Sequence, residues 1–295
     1  MVFFTQLVIS GFSLGMIYAL VTLGFVLILK SSEVFNIAQG QFVLIGGYLA
    51  YTFLITAHLP IWLSLVLAVA IAAVMGLLIE RFALRPLLGQ EAVSLVMMTI
   101  ALGAFLDGVV TVIWGGQYKT YHEVMPAISL KVGELSVSSE SLIGIIVSVL
   151  SVTILLLLFR FTKIGLAIRA TAEDLRVVQV FGIKVTSIFS LSWIIASITA
   201  VVAGIILGGI SGVSIPMADI GLKALVVALL GGVNSLGGAV VAGIILGVLE
   251  NLAAGYIDPL LPGGGVAQIF PFIVMIIVLI FKPNGLFGKV SIERI

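Results

Sequence analysis

The stretch LKALVVALLGGVNSLGGAVVAGIILGVLENLAA at 222–254 decides the fold class. Two apolar arms flank the glycine-rich break GGVNSLGG at 231–238, and each arm is short or marginal as a complete membrane crossing. A helix needs about 20 apolar residues to cross a hydrocarbon core about 30 Å thick. A glycine-rich break at that depth is tolerated only where protein surrounds it or where it lines an aqueous cavity. The stretch therefore predicts two half-helices, or a tight re-entrant helical hairpin, within a membrane.

The apolar character of this stretch extends over most of the 295 residues. The chain is 61% hydrophobic and only 9% charged, and its mean hydropathy is +1.35, whereas about a quarter of a soluble protein is charged. The runs are apolar on every face, unlike the alternating strands of a membrane barrel. We therefore predict an all-α, polytopic transmembrane helical bundle of about seven to nine membrane segments, forming one transmembrane domain over 1–295. The other apolar runs lie at 5–29, 37–57, 60–79, 94–114, 141–159, 187–210 and 267–281.

Composition also excludes several function classes. A net charge of +1 gives no basic patch for nucleic acid. The chain has no cysteine and only two histidines, His58 and His122, which is too few for a zinc site. The glycine-rich pieces lack the Lys and Ser/Thr that complete a phosphate-binding loop. We therefore expect no catalytic residue, no bound metal and no cofactor.

The cations predict an orientation across the bilayer. If the loop 160–185 is cytoplasmic, alternating spans place eleven of the 14 Lys and Arg residues on the cytoplasmic side, as the positive-inside rule requires. The N-terminus is then on the outer side of the membrane and the C-terminus on the cytoplasmic side. The polar segment 115–140 is predicted to form a small external cap.

One nine-residue sequence, AVVAGIILG, occurs at 200–208 and again at 239–247. One interpretation is that two helices share a face of small residues for close packing, through Gly204 with Gly208 and Gly243 with Gly247. The other interpretation is a pseudo-symmetry between the halves of a transporter. Both remain open at this point.

Polar residues inside the apolar runs need partners or water. A carboxylate at Asp107 would cost about 3 kcal/mol if it faced lipid, so it bonds a neighbouring helix or lines a path. Lys223 and Glu250 lie near the outer ends of the two arms of 222–254, which predicts a structural ion pair between them. Asn36 and Asn234 lie at helix starts or breaks, where asparagine caps free backbone N–H groups, with or without contact to a cargo.

The loop 160–185 has the pattern of a short helix between two spans. Thr162 is the predicted N-cap and Gly182 the stop. Such a helix either docks a cytoplasmic partner or lies on the lipid headgroups. Its charged residues on solvent-facing turns include Arg169, Glu173 and Asp174.

Four motifs together resemble one family, the permeases of high-affinity branched-chain amino acid ABC importers. The chain is most similar to the first, shorter permease of such systems. The resemblance implies a heterodimer with a second related permease, two cytoplasmic ATP-binding subunits, a periplasmic solute-binding protein and a bacterial inner membrane. The motifs are FNIAQGQFVLIGGY at 35–48, TKIGLAIRATAEDLRVVQVFGI at 162–183, GLKALVVALLGGVNSLGGAVVAGIILGVLE at 221–250 and FKPNGLFG at 281–288.

The resemblance also assigns roles to residues. It implies an ATPase coupling helix that includes Gly165, Arg169, Glu173, Asp174 and Gly182. Asn36 and Gly40 match an Asn-x-Ala-x-Gly element, and Gln39 and Gln41 stand where many such permeases have His and Glu. The predicted substrate path comprises Asn36, Gln39, Gln41, Asp107 and Asn234.

These expectations combine into a predicted function. The chain is expected to move branched-chain amino acids, or related amides and aromatic or short carboxylic acids, inward without an active site of its own. ATP hydrolysis is expected on separate subunits. The alternative is a self-sufficient secondary transporter or channel, which would need an intramembrane ion relay or a selectivity ring.

Overall fold

The computed structural model describes residues 1–121, 124, 130–132, 135–173, 184–261 and 263–288. Within these residues, ten α-helices and a two-stranded hairpin form most of the regular structure, and the rest consists of short π-helical and 3-10 segments. The strands β1 (Leu130–Val132) and β2 (Leu135–Val137) pair antiparallel, with Leu130 opposite Val137. The helices are α1 (Val2–Ser32), α2 (Gln39–Tyr51), α3 (Ile61–Ile79), α4 (Ala92–Trp114), α5 (Ser139–Phe161), α6 (Lys163–Glu173), α7 (Val185–Ser211), α8 (Ile220–Gly231), α9 (Leu236–Tyr256) and α10 (Val266–Phe281).

The predicted helical membrane bundle is confirmed. Within the described ranges, six helices are long and apolar enough to cross a membrane, namely α1, α3, α4, α5, α7 and α9. The shorter α10 is also apolar, and a π-helical segment, Thr52–Thr56, lengthens α2. Every predicted apolar run contains helix, because about 20 apolar residues in lipid must satisfy their own backbone groups. The protein is therefore a multi-pass membrane protein.

The break inside 222–254 has an asymmetric form. α8 ends at Gly231 after 12 residues, and α9 begins at Leu236 and continues for 21 residues. The expectation of two short arms is correct only for α8, because α9 is about 31 Å long and can cross on its own. The motif at 281–288 packs under the turn, where the Leu286 N–H donates to the Leu230 carbonyl at 2.7 Å.

α1 is the central helix of the bundle. In its most apolar window 89% of residues are buried, against 22% in the corresponding windows of α3, α4 and α5. α9 crosses α1 closely because a Cβ on Gly243 would lie 2.9 Å from the Gly15 carbonyl oxygen. A Cβ on Gly204 in α7 would likewise collide with the Val43 carbonyl oxygen in α2. Both copies of AVVAGIILG are thus close-packing faces, as the first interpretation of the repeat proposes.

The antiparallel packing collects several cations at one end of the bundle, which we call the basic end. It carries Lys30 at the end of α1, Arg85 after α3, Arg160 at the end of α5 and Lys184 before α7. Lys30 lies over the Phe159 ring, which confirms that the ends of α1 and α5 meet. The opposite end holds the ends of α4, α7 and α9.

A second break lies between α1 and α2. The chain leaves α1 at Ser32 and begins α2 at Gln39, beside Ala196 near the middle of α7. α2 therefore starts inside the bundle, and its Gly40 abuts the start of α8. A Cβ on Gly40 would collide with the Ala218 carbonyl oxygen and lie 3.0 Å from the Gly221 nitrogen. The starts of α2 and α8 thus meet at mid-membrane depth. They can approach this closely because Gly40 and Gly221 have no side chain.

Candidate functional site

A cleft of about 450 Å³ lies between α1, α7, α8, α9 and α10. α8 spans about 18 Å, so its start lies close to the middle of a hydrocarbon core about 30 Å thick. A more enclosed cavity of about 130 Å³, between α2, α3, α5 and α7, has an almost wholly apolar lining and offers little to orient a polar solute. The polar side chains of the cleft are Tyr18, Asp219, Lys223, Glu250 and Gln268.

An ion pair forms one wall of this cleft. The Lys223 Nζ lies 2.5 Å from the Glu250 Oε1, and the Tyr18 hydroxyl donates to the Glu250 Oε2 at 2.8 Å. The Glu250 side chain is only 7% exposed, whereas that of Lys223 is 19% exposed toward the cleft. Both Glu250 oxygens therefore have partners, and the Lys223 ammonium, which has three N–H donors, retains donor capacity.

Two further polar residues lie at the mouth of the cleft. Asp219 precedes α8 and Gln268 lies in the first turn of α10, and both are exposed on the isolated chain. By contrast, the large exposed side chains of α3, α4 and α5 are apolar, as lipid contact requires, apart from Arg160 at the basic end of α5. A carboxylate costs about 3 kcal/mol when it faces lipid at the bilayer centre. The face that carries Asp219 is therefore a water-filled or protein-covered face.

The predicted path residues Asn36 and Gln39 lie within the bundle. They are 1% and 0% exposed. The Asn36 Nδ2 donates to the Gln39 Oε1 at 2.8 Å, and the Gln39 Nε2 donates to the Ala196 carbonyl at 3.2 Å. These bonds tie the start of α2 to the middle of α7. The Asn36 Oδ1 is buried without a hydrogen-bond partner among the described residues, and path lining by this pair stays a prediction.

The other predicted path residues lie elsewhere. The Gln41 Nε2 donates to the Asp107 Oδ2 at 3.3 Å between α2 and α4. Asn234 is exposed in the turn between α8 and α9, where Ser235 rather than Asn234 caps α9 by accepting from the Gly238 N–H at 2.9 Å. The five residues thus fall in three separate places, and none belongs to the lining of the cleft.

Sequence reasoning missed the roles of Tyr18, Asp219 and Gln268. A signal was available for Asp219, which precedes Lys223 by four residues at the start of a helix too short to cross alone. Residues four apart share a helix face. No comparable signal identifies Tyr18 or Gln268, because α1 is apolar all round and Gln268 lies near a helix end.

The predicted coupling helix corresponds to α6. The Thr162 Oγ1 accepts from the Gly165 N–H at 3.2 Å, as expected of an N-cap. Gly165 and Ile168 are buried, and a Cβ on Gly165 would collide with the Phe159 carbonyl. The Arg169 guanidinium lies 5.6 Å from the Phe159 ring centroid. α6 is therefore seated on the end of α5.

The opposite surface of α6 is open. Leu166 is 60% exposed, and Glu173 is also exposed. The docking of α6 on a cytoplasmic partner, rather than on headgroups, stays a prediction. Asp174 and Gly182 lie outside the described residues.

The described part of the segment 115–140 is anchored across the end of α7. Lys119 and Val213 exchange backbone hydrogen bonds of 2.9 and 2.8 Å. The buried Tyr121 hydroxyl donates to the Ile205 carbonyl at 2.6 Å, and burial raises the pKa of this phenol. These hydrogen bonds hold the part of the segment around Lys119 and Tyr121 against α7.

Comparison with known proteins assigns the family. The family model described as branched-chain amino acid transport system / permease component matches residues 7–279. The chain belongs to this permease family.

Among its relatives is the high-affinity branched-chain amino acid transport system permease protein LivH of Escherichia coli, 28% identical over 99% of this chain and 98% of the relative. BraD of Pseudomonas aeruginosa, which has the same description, is 27% identical over 99% and 98%. A probable LivH of Methanocaldococcus jannaschii is 29% identical over 91% and 88%. A chain of PsaBC from Streptococcus pneumoniae, solved with a Fab, shares the fold at a TM-score of 0.51 and 16% identity, covering 96% of this chain and 93% of that one.

Proposed function

We propose that this chain is the permease subunit of an ABC importer that carries branched-chain amino acids, or small polar organic solutes like them, inward across a bacterial inner membrane. The observation that carries the proposal is the polar cleft at mid-membrane depth, on an exposed face of a family member. A path for a polar solute must be lined by water or polar groups. This face exposes Asp219 and Gln268, whose contact with lipid would be unfavourable. ATP hydrolysis takes place on separate subunits.

The proposed partners each have a surface. A second, related permease covers the cleft face, so that the path runs between the two permeases. One of the two ATP-binding subunits receives α6 through Leu166 and Glu173 at the basic end. A periplasmic solute-binding protein docks on the segment 115–140. In this arrangement the N-terminus is periplasmic and the C-terminus cytoplasmic, which the positive-inside rule supports.

The decisive experiment is reconstitution. This chain alone, and together with the second permease, the ATPases and the binding protein encoded with it, is placed in proteoliposomes. Radiolabelled leucine uptake is expected only with the full set of subunits and ATP. Uptake by this chain alone would instead identify a self-sufficient transporter or channel. Competition with unlabelled amino acids, amides and carboxylic acids then defines the cargo.

Two further measurements test the arrangement. A reporter fused after Lys184 is expected to be cytoplasmic, and one inserted near Lys131 periplasmic. Leu166→Asp is expected to prevent co-purification of the ATPases while the permease stays folded, because a carboxylate would enter an apolar contact. Lys163→Gln, a change at the start of the same helix, is the control. Swapped reporters, or full ATPase retention by Leu166→Asp, would contradict the arrangement.

A further inference from the structure

We propose that Asp219 and Lys223 form a bracket that recognises the zwitterionic head of an α-amino acid in transit. The Lys223 ammonium binds the carboxylate of the cargo, and the Asp219 carboxylate binds its ammonium group. This inference rests on the proposed transport function and names the residues of this chain that read the cargo. It also selects α-amino acids over amides and simple carboxylic acids.

The spacing of the two groups suits such a head. Asp219 and Lys223 are four residues apart at the start of α8 and both line the cleft. Positions i and i+4 of a helix place their Cβ atoms roughly 5–6 Å apart on one face. The ammonium and carboxylate groups of an α-amino acid are both bonded to its α-carbon. The two opposite charges therefore lie close enough together to fit between one cation and one anion at this separation. The apolar side chain of the cargo then lies along Leu14, Leu207 and Phe272, which are among the apolar residues of the lining.

The roles of the two carboxylates in the cleft follow from their partners. Both oxygens of Glu250 are occupied, by the Lys223 ammonium and by the Tyr18 hydroxyl. No hydrogen bond or ion pair to the Asp219 carboxylate is formed within the part of the chain that the structure describes. Glu250 is therefore a positioning residue that aims Lys223, and Asp219 is the free anion that meets the cargo.

Lys223 is able to act in two contacts at once. Its ammonium makes one hydrogen bond to Glu250 and lies 5.8 Å from the centroid of the Tyr18 ring. An ammonium group has three donors, so donors remain for a cargo carboxylate. A 2-oxo acid has no ammonium group, so it would leave Asp219 unpaired and bring a second carboxylate close to it. An amide has no charge and would form an ion pair with neither Lys223 nor Asp219. The bracket thus discriminates by charge as well as by shape.

The first test is chemical protection in the assembled importer. Because the chain has no cysteine, Leu222→Cys and Pro216→Cys each give a single reporter beside the bracket. Labelling of this chain by an impermeant maleimide is followed in nanodiscs without the binding protein. Leucine is expected to slow labelling at both positions, whereas 4-methyl-2-oxopentanoate and isopentylamine, which each lack one charge, are not. Equal protection by leucine and the 2-oxo acid would overturn the bracket.

The second test is Asp219→Asn, which keeps the size of the side chain and removes its charge. Leucine uptake is expected to show a KM about tenfold higher, since one charge-assisted hydrogen bond is lost, and the leucine concentration that protects the reporter should rise equally. The matched control is Glu91→Gln, which removes an exposed acidic residue just before α4 at the basic end. A parental KM and parental protection in Asp219→Asn would refute the bracket.

Failure of the bracket and failure of the transport proposal look different. If the parent complex takes up no leucine with ATP, the transport proposal fails, whatever the labelling shows. If the parent complex transports and Asp219→Asn is unaltered, only the bracket fails. Complex yield and thermal unfolding are recorded for each variant, and both should stay parental in Asp219→Asn, because an exposed carboxylate is replaced by an amide of the same size.

Discussion

Two ion pairs of this chain have nearly the same composition and lie in different surroundings. In one, the Arg85 guanidinium binds Glu80 through two contacts of 3.0 and 2.7 Å, and the Ser190 hydroxyl donates to Glu80 at 2.8 Å. In the other, Lys223 binds Glu250, and the Tyr18 hydroxyl supplies the second donor. Each pair has a buried carboxylate, 2% and 7% exposed, and a more exposed cation.

The difference lies in what each cation has left to offer. Arg85 forms a two-contact fork on Glu80, also reaches the Ser190 oxygen at 2.8 Å, and lies at the basic end where the span meets water. Lys223 makes one hydrogen bond at mid-membrane depth and lies beside a cleft with a free carboxylate. The first pair ties the end of α3 to α7, whereas the second supports a site. An ion pair by itself therefore does not identify a binding residue. What distinguishes Lys223 from the structural Arg85 is its position deep in the membrane and its unused hydrogen-bond donors.

Replacing each cation gives the largest expected effects. Lys223→Met leaves Glu250 buried without its counter-charge, which should lower the free energy of unfolding by about 3 kcal/mol and abolish uptake. Arg85→Met likewise leaves Glu80, which is 2% exposed, without its counter-charge and should lower the free energy of unfolding by a similar amount, but it should leave uptake measurable in the folded complex. Thermal unfolding of the purified complex and leucine uptake in proteoliposomes check both variants.

Double replacements make the comparison independent of stability. Lys223→Met with Glu250→Gln removes both charges and should restore folding but not uptake. Arg85→Met with Glu80→Gln should restore both. If the first double variant transports like the parent, Lys223 is a structural residue and the distinction drawn between the pairs is wrong.

The Lys223 pair depends on how α8 is positioned, and this gives a smaller effect. A Cβ on Gly40 would collide with the turn that carries Asp219. Gly40→Ala should therefore lower the unfolding free energy by about 2 kcal/mol and reduce uptake, because an overfilled contact must move the backbone. Gly237→Ala is the matched control, since a Cβ there meets nothing within 4 Å and alanine favours helix. Equal unfolding temperatures for the two variants would show that the contact between the starts of α2 and α8 adjusts to an added methyl group.

The spans could be predicted from sequence because lipid imposes length and composition on every crossing. The break at Gly231 and the contact between Lys223 and Glu250 could be predicted for the same reason. Unpaired backbone groups and unpaired charges are both unfavourable inside a membrane, so each must find a hydrogen-bond or ion-pair partner. The placement of Asn36 and Gln39 could not be predicted, because α2 starts inside the bundle, where the Asn36 side chain bonds Gln39 and the Gln39 side chain bonds the Ala196 carbonyl of α7. In an apolar chain no periodicity of the sequence distinguishes the lipid-facing side of a helix from its buried side. The cleft could therefore not be predicted from the sequence, because its position depends on how the helices pack.

Removing one hydroxyl donor from each carboxylate sharpens the comparison further. Tyr18→Phe breaks one hydrogen bond to a charged group, and Ser190→Ala breaks two, one to Glu80 and one from Arg85, so each should cost about 1–2 kcal/mol of unfolding free energy. Only Tyr18→Phe should also raise the KM for uptake, by a few-fold, because Glu250 then draws the Lys223 ammonium away from the cleft. A similar KM change in Ser190→Ala would mean that both pairs report general stability.

The smallest expected effect concerns Gln41 and Asp107, which the sequence places on the path and the structure places between α2 and α4. Their contact is long, at 3.3 Å, and interhelical hydrogen bonds in membranes contribute on average about 0.6 kcal/mol. A double-mutant cycle with Gln41→Leu and Asp107→Asn should give a coupling energy of that size.

Because neither residue lines the cleft, Gln41→Glu should leave the KM for leucine within about twofold of the parent, well below the tenfold change expected of Asp219→Asn. The comparison must be made at matched complex yield, since a second carboxylate beside Asp107 also destabilises the α2 contact through like-charge repulsion. A several-fold change in uptake by Gln41→Glu with normal yield would place the path between α2 and α4. In that case the Lys223 pair would be a second anchor like that of Arg85.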